Sequence, residues 1–290
     1  MQRSFLLSQI YAFSTVTFWS SAYVFTKTAL NYYSFSSLAL LRCAIASLFL
    51  GVVLVVYKKP LPDRRSWFWF LLSGAAGFAL YILVFNKGSA SLNPTTSCIL
   101  ISTSPIITAC LAQICFREKL GARRWIAIVM AFCGILVMTL WGGALSVSEG
   151  IAWMLAAALL ISVYNILQRL LSRKFEPLCI TAYSFFAGML LLVPFLPEAA
   201  MQIADAPAMQ IWLVVFLGIC PSAVAYLFWA RALSLAPSTS NVSNYMFLTP
   251  FLALLLEYAV TGELPGAATF AGGGIIMASL AVFVLAGRKK

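Results

Sequence analysis

Residues 102–121 read STSPIITACLAQICFREKLG, and residues 247–266 read FLTPFLALLLEYAVTGELPG. In each stretch a proline interrupts an apolar run and a glutamate closes it thirteen positions later, Pro105 with Glu118 and Pro250 with Glu263. Proline inside a helix removes a hydrogen bond and crowds the preceding turn, so two such placements at one spacing point to a shared design. A shift of 145 superposes the two stretches and also pairs Tyr81 with Tyr226 one helix earlier. A shift near 142 sets Lys27 in SSAYVFTK against Arg169 in SVYNILQR, and SSLALLR (36–42) against PLCITAY (177–183). The chain says the same thing twice.

Composition places both copies in a membrane. Of 290 residues 62% are apolar and 9% charged, with a mean hydropathy of +0.96. A soluble domain is about half apolar and about a quarter charged. The net charge of +11 would suggest nucleic acid in a soluble protein, but here Lys and Arg sit in short loops between apolar runs. The seven cysteines lie in apolar segments without CxxC or Cys/His spacing, and there is no histidine. Neither a metal site nor a disulfide framework is expected, and no cofactor.

Crossing a bilayer takes about 20 apolar residues of helix. Ten spans are expected, near 5–27, 35–57, 66–86, 95–116, 124–143, 150–170, 178–196, 208–230, 239–259 and 267–287. The first is too long for a cleaved signal peptide and lacks a small-residue cleavage site. With the N-terminus in the cytoplasm, sixteen of the nineteen Lys and Arg fall inside, Lys27 and Lys87 fall outside, and Arg42 lies within span 2. The positive-inside rule therefore places both termini in the cytoplasm.

Five spans per copy is an odd number, so the second copy enters the membrane from the opposite side. The expected fold is an all-α integral membrane protein, ten transmembrane helices in two inverted five-helix repeats (1–145 and 146–290) around a central cavity. Inverted repeats are typical of secondary transporters, in which similar halves rock about a midplane site.

The sequence resembles the drug/metabolite transporter superfamily, EamA type, over essentially its whole length. The resemblance rests on FWSSAYVFTKTAL in span 1, SSLALLRCAIA in span 2 and YILVFNKGSASLNPTTSCILISTSPIITACLAQICFREKL in spans 3–4. The last recurs as YLFWARALSLAPSTSNVSNYMFLTPFLALLLEYAVTGELP in spans 8–9. It implies a cavity lined by spans 1, 3, 4, 6, 8 and 9, with spans 5 and 10 at the periphery, where some relatives pair. Members carry amino acids, drugs, nucleotide derivatives and other metabolites. Export of amino acids or related amphipathic compounds across the cytoplasmic membrane is the implied activity.

Candidate binding residues follow. On the spans the resemblance turns inward lie Tyr23, Tyr81, Tyr164, Asn165, Tyr226 and Trp229. Asn241, Asn244 and Tyr245 add polar groups on span 9, with Asn241 and Tyr245 one turn apart; Ser97, Ile101 and Ser104 share a face of span 4. Such groups either bind solute or hold helices together. Arg42 is costly within a bilayer, by about 2.5 to over 10 kcal/mol, so it snorkels outward, holds a helix interface or contacts substrate. Lys27 reaches the headgroups or joins Arg42 in an electropositive outer cavity suited to a carboxylate, with Glu257 as a possible partner for either. Pro105 and Pro250 are expected to kink spans 4 and 9 as hinges.

Small residues at four-residue spacing, Ala127 and Ala131 in span 5, Ala267 and Ala271, Ala268 and Gly272, and Gly274 and Ala278 in span 10, suit close packing. Internal packing accounts for them, and a weak homodimer through spans 5 and 10 is the second reading. The partners expected are a small-molecule substrate and the lipid bilayer, with no nucleic acid. No carboxylate or histidine sits at mid-span, so a proton relay is missing and uniport or exchange gains weight. An embedded enzyme would need clustered acid–base or nucleophilic groups, which eight scattered carboxylates do not supply. A channel or structural membrane protein without carrier activity is the remaining alternative.

Overall fold

The computed structural model describes residues 2–117, 121–141, 149–236, 242 and 244–287. Every described secondary-structure element is helical. We number the spans α1 (Gln2–Ala29), α2 (Phe35–Val56), α3 (Arg64–Ser91), α4 (Pro94–Phe116), α5 (Ala122–Leu140), α6 (Glu149–Leu171), α7 (Pro177–Ala204), α8 (Ala208–Leu235), α9 (Tyr245–Thr261) and α10 (Ala267–Gly287). Among the described residues, α2 to α8 and α10 are long and apolar enough to cross a membrane, and α9 is a shorter apolar helix. Helix α1 is long but rich in serine and threonine. Their hydroxyls bond nearby carbonyls, as Thr15 does to Tyr11 and Ser20 to Val16. The boundary expected at 145 lies outside the described residues. The face where α1 begins and α10 ends is called the terminal face below, and the opposite one the far face.

The repeat extends to the irregularities of the backbone. Helix α3 widens into a π turn at Ala75–Leu80, and α8 widens at Cys220–Val224. Helix α4 breaks and restarts at Ser104; α9 passes from a 3-10 turn (Asn244–Leu248) to α-helix at Thr249. Their second segments end in left-handed residues, Arg117 (φ 55°) and Gly262 (φ 72°). All three pairs are 145 positions apart. Gly262 is the residue suited to that conformation; Arg117 adopts it as well, so the geometry belongs to the fold more than to the side chain.

The two prolines do not sit where the sequence put them. Each falls within the first two positions of a new helical segment, where a missing N–H costs nothing. They start helices after a break and do not kink continuous ones. The break at Ser102–Thr103 falls between Ile101 and Ser104; Ser97, Ile101 and Ser104 are all buried.

Serine hydroxyls from the other copy hold both restarts. Ser162 Oγ donates to Ser104 O at 2.9 Å, and Ser20 Oγ donates to Thr249 O at 3.0 Å. Helices α5 and α10 pack along each other at Gly134 and Gly272, where a Cβ on either would come within 3.0 Å of the other's carbonyl. Such contact lets backbones approach where lipid supplies no hydrophobic drive. Gly274 and Ala278 point outward. Loops at both faces are pinned across the copies. Lys59 pairs with Glu176 (2.6 Å) and Lys174 with Asp63 (2.7 Å) at the terminal face. At the far face Ser36 donates to Glu198 at 3.1 Å and the Ser34 N–H donates to Gln202 at 3.1 Å.

Candidate substrate site

Between the copies, aromatic rings from five helices pack into one wall, in which Phe78, Tyr164 and Phe185 are almost fully buried. The Tyr164 ring of α6 lies 5.1 Å from Phe78 of α3, and Tyr226 of α8 lies 6.0 Å from Phe78 and 5.8 Å from Trp19 of α1. Trp229 is 5.3 Å from Trp19, and Phe185 of α7 stacks on Phe78 at 3.6 Å. Nearby, Tyr23 and Tyr81 lie 5.4 and 5.7 Å from Phe85. Most contacts are edge-on or tilted, the arrangement ring quadrupoles favour, each adding about 1 kcal/mol beyond area burial.

The π turns shape this wall. Gly77, inside the α3 turn, lies so close to Tyr164 that any Cβ would collide with the ring. In the α8 turn, Ser222 Oγ donates to Leu217 O at 2.7 Å, meeting a carbonyl whose usual helical partner would be the N–H that Pro221 lacks. The same oxygen accepts from Arg42. Arg42 is 6% exposed; its Nη1 donates to Thr26 Oγ1 at 3.1 Å and its Nη2 to Ser222 Oγ at 3.4 Å. Ser222, the partner of Arg42, lies four residues before Tyr226 on α8.

Of the residues singled out by sequence, Tyr23, Arg42, Tyr81, Tyr164, Tyr226 and Trp229 come together here. Asn165 faces α4, donating to Thr108 Oγ1 at 3.2 Å. Ser97 is buried with its hydroxyl unpartnered. Tyr245 joins Ala12, Val242 and Trp229 in a smaller cluster. Asn241 lies outside the described residues, and for Asn244 only the backbone is described.

Lys27 and Glu257 each bond a group that the sequence did not single out. Lys27 Nζ donates to Ala90 O at 2.6 Å, near the C-terminal end of α3, where helix carbonyls attract a cation. Glu257, 3% exposed, accepts hydrogen bonds from the Thr95 N–H (2.8 Å) and the Thr95 hydroxyl, at the N-terminal turn of α4. That turn offers unpaired N–H groups and a partial positive charge. The carboxylate therefore pins α9 to α4 across the copies and forms no ion pair with Arg42. Trp19, Phe78, Phe85, Thr26 and Ser222 were missed by sequence reasoning. The 145 shift could have singled out Ser222 through Gly77, but aromatics in apolar helices look alike whether they face lipid or solute.

A ten-helix bundle of two inverted copies with a polar and aromatic site between them defines a membrane transporter. The EamA-like transporter family model matches residues 6–140 and 148–285, so the chain belongs to that family. Among curated relatives, the uncharacterized transporter YdfC of Bacillus subtilis is 27% identical, over 88% of this chain and 83% of its own length. A probable terminal-alkyne amino-acid exporter of Streptantibioticus cattleyicolor is 28% identical, over 92% of this chain and 89% of its own. A crystal structure 18% identical to the chain superposes on it with a TM-score of 0.64, covering 98% of this chain and 99% of the other; that likeness is one of fold.

Proposed function

We propose that this transporter is an alternating-access carrier that exports amino acids or related small amphipathic metabolites across the cytoplasmic membrane, with both termini inside. The observation that carries this reading is the convergence of Tyr81, Tyr164, Tyr226 and Arg42 between the copies, the place where rocking halves would expose a solute to each side in turn. The halves 1–145 and 146–290 are the moving bodies, and Pro105 and Pro250 mark where α4 and α9 bend. The relative named as a probable terminal-alkyne amino-acid exporter supports the substrate class, and the charge asymmetry of the loops supports the orientation. The carrier works as a monomer, and the outward faces of α5 and α10 are where a second copy would pair weakly.

Flux into proteoliposomes tests it. A carrier gives saturable uptake of one solute class, with counterflow when the lumen is preloaded. Conductance that rises linearly with concentration would instead identify a channel.

A further inference from the structure

Arg42 is a buried cation without a buried anion. Both hydroxyls it bonds are neutral, its Nε is enclosed and unpartnered, and Glu257 is committed to Thr95. No ion pair to Arg42 occurs among the described residues. A charge at this depth calls for a counter-ion.

The internal symmetry tests whether the fold itself needs that charge. Where α2 passes α8, Gly218 packs on Ile45 and close to the Arg42 carbonyl; where α7 passes α3, Gly74 packs on the Ser184 carbonyl. The two crossings correspond between the copies, with Arg42 and Ser184 related by the 142 offset that also relates Ser20 to Ser162, and Gly74 and Gly218 144 apart. At the second, Ser184 donates to Ser73 Oγ at 2.9 Å, and the junction is made by small residues alone. A guanidinium needed only to join helices would be needed at both. It is present at one, beside the aromatic wall.

We propose that Arg42 is the anion site of the substrate pocket, taking as its counter-ion the carboxylate or phosphate of an organic solute whose apolar body rests on the Tyr81, Tyr164 and Tyr226 wall. This rests on the carrier reading above and narrows its cargo to anion-bearing solutes. The planar fork of donors in Arg matches either oxyanion. Thr26 and Ser222 hold the fork in place, and its buried Nε has no protein partner. Amines and esters of the same skeletons offer no counter-ion and are excluded.

The test is binding to purified protein in nanodiscs, by thermal shift and calorimetry. Aliphatic and aromatic amino acids and hydroxy acids are each presented as free acid, methyl ester and decarboxylated amine, beside matching alkyl and aryl phosphates. Stabilisation by acids or phosphates, with esters and amines weaker by about 30-fold or more, is the expected result, as for an ion pair that loses one partner. Whichever oxyanion binds names the source. Arg42→Gln should remove the preference while leaving residual binding of the apolar body. The proposal fails if esters or amines bind as well as acids, if no anion in the panel binds, or if Arg42→Gln keeps the preference. Should Arg42→Gln not fold, the wild-type comparison of acid with ester still decides. Anion-selective binding without flux would remove the carrier reading and keep the site; saturable flux of esters and amines would do the reverse.

Discussion

Ser162 of α6 donates a hydrogen bond to the carbonyl of Ser104, the first residue after the break in α4. Its symmetry mate, Ser20 to Thr249, repeats the bond in the other direction between copies. Each serine also bonds its own helix, at Val16 O (2.7 Å) and Ala158 O (2.6 Å). The halves are thus tied at the two points where α4 and α9 resume their helices.

Alanine at either serine leaves a buried carbonyl short of a partner, at about 1 kcal/mol. Ser20→Ala and Ser162→Ala should lower the thermal midpoint by similar amounts. The double variant should sum the two losses, since the bonds share no partner. Differential scanning fluorimetry reads this directly, and a clear inequality would show that the halves are not equivalent.

The two prolines should differ in consequence. Before Pro105, Ser102 donates to Cys98 O (2.8 Å) and Thr103 to Leu100 O (2.7 Å), which sustains the break without help from the ring. The matching positions in α9 are Phe247 and Leu248, which have no hydroxyl. Each Pro→Ala change should cost about 0.5–1 kcal/mol through the freer unfolded chain. Proteoliposome flux should fall more for Pro250→Ala than for Pro105→Ala, and equal rates would remove the hinge role.

Gly272 and Gly274 offer a matched pair. Alanine at 272 meets Met138 and the Gly134 carbonyl, while alanine at 274 meets nothing within 4 Å. Helix propensity favours both changes by about 1 kcal/mol, but overpacking costs about 1–3 kcal/mol. Gly272→Ala should therefore destabilise, and Gly274→Ala should be neutral or stabilising. Thermal midpoints in detergent give the sign.

The loop pins outside the spans carry a pH signature. Lys174, with the Ser66 hydroxyl, holds the Asp63 carboxyl below the usual carboxylate range, and its bond to Glu176 holds Lys59 above the usual lysine range. A depressed acid contributes stability above its unfolded value, near pH 4, and loses it as pH falls through the folded one. A raised lysine contributes below its unfolded value, near pH 10, and loses it as pH rises. The difference in midpoint between wild type and Asp63→Asn should stay constant from about pH 5 to about pH 9 and shrink toward zero in acid. A difference that varies within that window would point to another group. Both pairs are exposed, so the effect should be small and weaken with salt.

The span boundaries and the inverted repeat are legible in the residues, because hydropathy and a fixed shift carry that information; that Tyr81, Tyr164 and Tyr226 lie on inward-facing spans came from the family resemblance alone. The π turns are not. One extra residue in a turn leaves an apolar helix just as apolar, and only the crowding of Gly77 against Tyr164 makes the turn visible. The partner of Glu257 was equally hidden: Thr95 is 162 positions away, and a carboxylate meeting a helix N-terminus looks in sequence like one seeking a lysine. Trp19 and Phe85 escaped because burial against solute and burial against lipid select the same side chains.

The paired π turns also order events in time. A widened turn at the same place in both copies was already part of the ancestral five-helix unit when its gene doubled. Arg42 stands against Ser184 in the other copy, so the two halves have diverged at this position since doubling. The scaffold of this protein is inherited from a symmetric past, and its charged feature belongs to the asymmetric present.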